Sequence, residues 1–441
     1  MNTQQVYSII GIGIGPFNLG LAALLEPVKE LNALFFDQTD AFDWHPGLML
    51  QNTTLQDPFM GTDLVTMADP TSRFSFLNFL KKTGRLYQFF IRHDFYMLRR
   101  EYNVYCKWVA DQLPNCRFSH RVTNVSYQNG LYQVTVSHTR TGETSTYQAE
   151  RLVIGTGTQP HVPSFINKDK LPGVIHSSEY LSEKEAILQQ GSLTIVGSGQ
   201  SAAEVFYDLL PEAQRGFRLH WFTRSDRFFP MEHSKLTLEI SSPDYVSYFY
   251  QLPAERRASI LRTQNSLSKG INYSLIDQIY DMLYEMTVGG KKVPVQLRAN
   301  CELTSIEPAL QDKLYTLQFT QAQQQEPFSH QASSILLATG YRYNEPAFLQ
   351  GISERICRTR NGAFDVQRNY TIDVNRQEIF LQNAETHTHG FTAPDLSMGA
   401  YRNSWIINTI SGKEIYQPEE KIAYQEFGVT EHVPSPSLPM P

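Results

Sequence analysis

Tyr7-Ser8-Ile9-Ile10-Gly11-Ile12-Gly13-Ile14-Gly15-Pro16-Phe17-Asn18, followed by the apolar run Leu19 to Leu25, reads as a buried strand, a tight turn and a helix. Gly11 makes the turn and Gly13 lets the backbone approach a pyrophosphate. The helix N-terminus then offers free N–H groups and the positive end of its dipole. A second strand, Ala33-Leu34-Phe35-Phe36, ends in Asp37, whose carboxylate can accept from a ribose hydroxyl. One glycine fingerprint is a weak signal, and the acid in register at a strand end strengthens it.

The pattern returns mid-chain. Leu193-Thr194-Ile195-Val196 runs into Gly197-Ser198-Gly199-Gln200-Ser201-Ala202-Ala203-Glu204, again a strand feeding a helix. Its second strand, Leu219-His220-Trp221-Phe222, ends in Thr223-Arg224-Ser225-Asp226-Arg227 rather than in an acid. A guanidinium there suits a 2′-phosphate, so this site should prefer NADPH over NADH; arginines merely solvated at a loop are the alternative. Two such units imply two nucleotides, where a single-cofactor enzyme needs one.

With 441 residues, 41% hydrophobic and 12% aromatic, the chain can bury the cores of two or three domains. A formal net charge of -6 gives no basic surface for nucleic acid, so small-molecule ligands are expected. Cys106, Cys116, Cys301 and Cys357 lie far apart, which argues against a disulfide framework or redox-active dithiol and for a cytoplasmic location. The N-terminal apolar run lacks a basic leader and is broken by Gly11, Gly13, Gly15 and Pro16, and no stretch of about 18 apolar residues occurs. Neither a signal peptide nor a membrane span is expected.

Between the two units, Trp44-His45-Pro46-Gly47 is a breaker-rich loop, Gln51 to Pro70 a polar segment and Ser75 to Leu113 an amphipathic helical region. Arg121 to Gln128 and Leu131 to Thr139 predict a hairpin around Asn129-Gly130. Leu152-Val153-Ile154-Gly155-Thr156-Gly157 and Ser334-Ile335-Leu336-Leu337-Ala338-Thr339-Gly340-Tyr341 are two similar buried strands with glycine exits, as expected of a chain that crosses between two nucleotide domains and back. The Tyr-rich stretch from Asp244 to Thr287 predicts helices, and the last eight or so residues are Pro-rich and expected to be disordered. The fold expected is therefore α/β: two Rossmann-like dinucleotide-binding domains, the second inserted in the first, and a small helical subdomain. The first domain comprises 1–170 and 333–441, the second 171–243 and return strands 291–332, and the helical part 244–290.

These residues resemble the flavin-dependent N-hydroxylating monooxygenases of siderophore biosynthesis, the lysine and ornithine N-monooxygenases and their diamine relatives. The resemblance covers nearly the whole chain. It is carried by Gly11-x-Gly13-x-x-Pro16-Phe17-Asn18, Trp44-His45-Pro46-Gly47, Gly197-x-Gly199-Gln200-Ser201-Ala202, Asn272-Tyr273-Ser274, Leu337-Ala338-Thr339-Gly340-Tyr341 with Pro346, and Thr388-His389-Gly390 leading to Leu396-Ser397. It implies FAD at the first turn, NADPH at the second and O2 as co-substrate. Reduced flavin would form a C4a-hydroperoxide that an unprotonated primary amine attacks, inside a site that excludes water.

By the same resemblance FAD would be held by Gly11, Gly13, Gly15, Pro16, Asn18, Asp37, Trp44, His45, Gln56, Pro394, Asp395 and Leu396. NADPH would meet Gly197, Ser198, Gly199, Gln200, Ser201, Arg224, Asn272 and Tyr273. Asn272, touching nicotinamide and amine, and Gln56 beside the flavin are the catalytic candidates; Thr62, Leu238, Asn272 and Ser397 are the substrate candidates. No metal is expected, and His45, His176 and His389 read as scaffolding. A homo-oligomer, dimer or tetramer, is expected.

Two departures bear on substrate. The amino-acid hydroxylases carry a lysine in a Phe-Leu-Lys-Asp-Leu stretch that binds the substrate carboxylate, whereas this chain reads Phe59-Met60-Gly61-Thr62-Asp63-Leu64, and Leu238 replaces an asparagine before Glu239. A site without its carboxylate anchor should take an amine without the carboxylate: putrescine, cadaverine or diaminopropane. An anchor moved to Arg99 or Lys235 would instead leave lysine or ornithine as substrate, and histamine is a further alternative. A disulfide reductase lacks its cysteine pair here, and in Leu171-x-Gly173-x-x-His176 the sulfide and ketone monooxygenase signature is one residue short. A flavin sensor would show no turnover.

Overall fold

The computed structural model describes residues 5–309 and 314–429; the Pro-rich end lies outside them. Short apolar runs covered on both faces build two five-stranded parallel sheets. In the first, Ile379–Leu381, Leu152–Ile154, Ile9–Ile12, Ala33–Phe36 and Cys116–Arg117 lie side by side in that order. In the second the order is Val174–His176, Ile335–Leu337, Ser192–Val196, Arg218–Phe222 and Val295–Arg298. Each glycine-rich turn leaves an interior strand, so both turns open at the carboxyl edge of a parallel sheet, where open α/β sheets bind ligands. The two Rossmann-like units expected from sequence are present.

Antiparallel layers flank them, including the hairpin His120–Gln128 and Leu131–His138. Asn129 and Gly130 at its tip have φ of 53° and 82°, the two left-handed residues that a tight hairpin turn requires.

The chain does cross out and back, and its two linkers, Gln159–Pro160 and Tyr341–Arg342, pair antiparallel. One assignment changes. Ile335–Leu337 belongs to the second sheet, and the strand that returns to the first is Ile379–Leu381, beside Leu152–Ile154. The boundary expected at residue 333 therefore lies between Leu337 and Ile379. The two glycine exits look alike because each lies against its own turn: a Cβ on Gly13 would meet the Gly155 oxygen at 2.4 Å, and one on Gly197 the Ala338 oxygen at 2.2 Å.

The helical region expected at Ser75 to Leu113 is broken. It holds helices Phe76–Lys82, Leu86–Arg92 and Arg99–Ala110 with a strand, Tyr96–Leu98, between the last two. Gly84 and His93, both with positive φ, end the first two helices. The strand pairs with Thr54–Pro58, inside the segment read as merely polar. Residues 244–290 also divide. Tyr245 and Phe249 of the Pro243–Gln251 helix pack with Phe391. Leu275, Ile279 and Met286 of Tyr273–Thr287 instead join the core formed by Ile195, Val205, Leu209 and Trp221. The apolar face of this last helix closes the second nucleotide unit rather than a separate subdomain. Among the described residues no helix is long and apolar enough to cross a membrane.

Candidate active site

At the first turn, Gly13 has φ +90°, and Gly11 leaves no room for a side chain because a Cβ would lie 2.1 Å from the Phe35 ring. Gly15 precedes the Pro16–Leu25 helix with no side-chain cap, and open space surrounds its would-be Cβ. Proline at the first helical position removes a donor the helix could not use. Asp37 sits at the strand end as expected. One carboxylate oxygen accepts from the Ile14 N–H at 2.7 Å and the other from Thr39, which leaves lone pairs for a ribose. Asn18 departs from expectation. It is buried, donates to the Gly13 carbonyl at 2.8 Å and accepts from Gln382 at 2.7 Å, so it braces the turn instead of reaching a ligand.

Trp44-His45-Pro46-Gly47 is a joint between the two units. A Cβ on Gly47 would stand 1.7 Å from the Ser178 oxygen. His45, at φ 51°, sets its ring edge-on to Trp44 and Tyr341, and Tyr341 meets His176 in turn. Burial, and then the Arg99 charge, push His45 down to about 4, so it is neutral at physiological pH. His176 bonds Ser178 and the Gly340 carbonyl, while His389 stacks on Tyr370 at 4.4 Å. All three rings are held by protein.

At the second turn, Gly199 precedes the Gln200–Ala213 helix, again with no side-chain cap. Ser198 and Ser201 beside it are half-buried. Arg224, just past the Arg218–Phe222 strand, is exposed and makes no ion pair among the described residues. Burial, followed by the charges of Arg342 and Arg224, lowers the pKa of His161. Arg342 was not singled out from sequence, although it directly follows the second glycine exit. Gln200, read as a nucleotide contact, bonds Glu204 and the Asn272 N–H with its side chain.

The catalytic candidates come together around Met231. Gln56 points its amide at the Met231 sulfur, 3.8 Å away. The Met231 N–H donates to the carbonyl of Ile271, the residue before Asn272, at 2.8 Å. Gly270 is required for this approach, since a Cβ there would lie 2.3 Å from the Met231 nitrogen. Asn272 is half-buried at the start of Tyr273–Thr287, and its side-chain amide takes no hydrogen bond among the described residues. Tyr273 beside it is 68% exposed.

The short helix Phe59–Thr62 packs on the turn Leu396–Met398, and a Cβ on Gly61 would stand 3.2 Å from that of Ser397. Thr62 faces inward, 3% exposed with its hydroxyl on the Pro58 carbonyl, and is not placed to touch substrate. Leu238 is 41% exposed, Leu396 half-buried and Pro394 exposed. Asp395 accepts from the Ser397 N–H at 2.9 Å. Asp57, next to Gln56, takes no side-chain hydrogen bond or ion pair among the described residues. Burial and the neighbouring Asp395 carboxylate push it up to about 7. His233 lies close enough to Asp395 for their charges to interact. Asp57 and His233 were not read from sequence; the carboxylate directly after Gln56 was the available signal.

Arg99, a candidate for a relocated carboxylate anchor, is already engaged. Its guanidinium grips Glu204 with two bonds of 2.8 and 2.7 Å. Lys235 is exposed and makes no ion pair among the described residues. Two uncapped helix N-termini behind side-chain-free glycines, one with a carboxylate at the next strand end and one with Arg224 and Arg342, which make no ion pair among the described residues, fit FAD and NADPH respectively.

A family model described as L-lysine 6-monooxygenase/L-ornithine 5-monooxygenase matches residues 5–343. A putrescine N-hydroxylase from Shewanella oneidensis is 49% identical over 427 residues, 96% of this chain and 84% of that protein. The FAD-bound structure of a desferrioxamine-pathway cadaverine monooxygenase from Erwinia amylovora superposes with a TM-score of 0.94. It is 47% identical and covers 97% of this chain and 99% of its own. An ornithine N-hydroxylase from Kutzneria sp. 744, with reduced FAD, NADP+ and L-ornithine, gives a TM-score of 0.85 at 25% identity, covering 92% and 99%.

Proposed function

The chain belongs to the L-lysine 6-monooxygenase/L-ornithine 5-monooxygenase family, and from that premise we propose that it N-hydroxylates an aliphatic diamine with FAD, NADPH and O2. Putrescine, cadaverine or diaminopropane is the substrate class, and the product hydroxylamine serves siderophore assembly. The similar proteins support this choice: those named for putrescine and cadaverine are 49% and 47% identical, the one named for ornithine 25%. When bound, NADPH supplies electrons to the flavin, and the reduced flavin activates O2.

The observation that carries the substrate reading is the charge near Gln56. The stretch Phe59 to Leu64 has no lysine, Arg99 is committed to Glu204, and Asp57 and Asp395 stand together beside His233 and Arg402, the latter paired to Glu385. Burial already disfavours charge on both acids, and an amino-acid carboxylate would disfavour it further. The far ammonium of a diamine would favour it. The near amine must be neutral to react, although a free alkylammonium has a pKa of about 10.4. A buried setting favours the free base, and the Asn272 amide can accept from it. The test is NADPH oxidation in air with hydroxylamine counted separately, across the three diamines and histamine. Absence of hydroxylamine from every diamine would end the proposal.

Self-association has support in an exposed apolar face on and after the Leu86–Arg92 helix, where Tyr87, Phe90, Ile91 and Phe95 are 77, 67, 71 and 61% exposed. A patch of this kind marks an interaction surface. We assign a dimer or tetramer, which light scattering would test. Four free cysteines and an NADPH site suit the cytoplasm.

A further inference from the structure

Arg99 lies on a helix whose Tyr102, Tyr105, Cys106 and Val109 are buried in the first unit's core. Glu204 lies on a helix buried in the second. Their side chains are 12% and 1% exposed, and the guanidinium also donates to the Leu48 carbonyl at 3.0 Å. A third bond reaches the carboxylate from Gln200 Nε2 at 3.0 Å, and Gln200 Oε1 then accepts from the Asn272 N–H at 2.8 Å.

The order of donors and acceptors along this chain is forced. A carboxylate gripped by a guanidinium only accepts, so Gln200 must turn its NH2 toward Glu204 and its oxygen toward Asn272. We propose that Glu204, clamped by Arg99, is a positioning residue that fixes Asn272 for nicotinamide and amine by orienting Gln200. The inference rests on the reading of Asn272 given above. It also makes the geometry of Asn272 depend on how the two nucleotide units are docked, since Arg99 belongs to one and Glu204 to the other.

Glu204→Gln keeps the shape but adds a donor. Gln200 can then reverse, leaving the Asn272 N–H against an NH2 group. The holoenzyme variants would be measured for NADP+ affinity by calorimetry, for hydroxylamine formed per NADPH consumed, and for melting temperature. Glu204→Gln should weaken NADP+ binding and lower the product ratio by about fivefold to tenfold, the range for one hydrogen bond lost in a buried site. It should add little on an Asn272→Ala background, because coupled residues are not additive. Gln200→Met, which leaves the Arg99–Glu204 pair intact, should reproduce the effect even if Glu204→Gln fails to fold. Effects of Glu204→Gln or Gln200→Met that are absent, or that add in full to Asn272→Ala, overturn the inference alone. A silent Asn272→Ala overturns the reading of Asn272 and the inference with it.

Discussion

In the proposed function, Arg224 and Asp57 are the side chains on which coenzyme and substrate choice turn. Arg224 makes no ion pair among the described residues, so Arg224→Ala should raise the KM for NADPH about tenfold more than for NADH, the value of one charge-assisted phosphate contact. Equal effects on the two coenzymes would contradict the assignment. Asp57→Asn should raise the KM for a diamine by about tenfold, while NADPH reduces the flavin at the wild-type rate. It has a stability signature as well. Between about 4 and 7 the folded enzyme keeps a proton on Asp57 that the unfolded chain has released, so stability falls as pH rises through that window. The variant removes this cost, and its gain in Tm over wild type should be larger at pH 8 than at pH 4.5. A constant difference would show that the carboxylate is not raised. Glycines and strand-end charges were legible at this scale because backbone geometry dictates them. The directions of Asn18, Thr62 and Gln200 were not, since a motif fixes a residue's place in the chain while its packing decides what the side chain touches.

The segment from Ile422 to Phe427 straps the helices Lys235–Leu238 and Pro243–Gln251 and the turn between them. Ile422 and Ala423 give their N–H groups to Asp244, and Tyr424 and Gln425 give theirs to Glu239. Phe427 closes on Tyr245 at 5.1 Å, edge to face. With Leu238 proposed to face the amine, removing residues 421–441 should loosen the amine site alone, raising the diamine KM by several-fold, the scale of a few exposed hydrogen bonds, with NADPH affinity unchanged. An unchanged diamine KM would show that the strap does not shape the site. Helices and strands with a clear period were read correctly, down to the Asn129-Gly130 hairpin. Two errors had a common cause. The Ser75 to Leu113 and 244–290 segments were read as units from local pattern, although their partners, Thr54–Pro58 and Gln200–Ala213, are distant in sequence.

The chain sets each nucleotide turn at the carboxyl edge of its own parallel sheet by crossing between the two sheets and back. The repetition of the glycine pattern made this legible. The return strand Ile379–Leu381 was missed because three apolar residues carry no periodicity. The assembled site is proposed to take a neutral amine whose far end is a cation rather than a carboxylate. Product formed per NADPH should accordingly fall from about pH 9 to 6, because only the free base of an amine with a pKa near 10.4 can attack, while flavin reduction continues. A flat ratio over that range would contradict the free-base step. The most direct measurement is kcat/KM for hydroxylamine formation by the wild-type enzyme with putrescine, cadaverine and diaminopropane against ornithine and lysine. The best diamine should lead by at least about a hundredfold, since a buried carboxylate without a partner costs several kcal/mol. Lysine or ornithine hydroxylated as efficiently as any diamine would contradict the account.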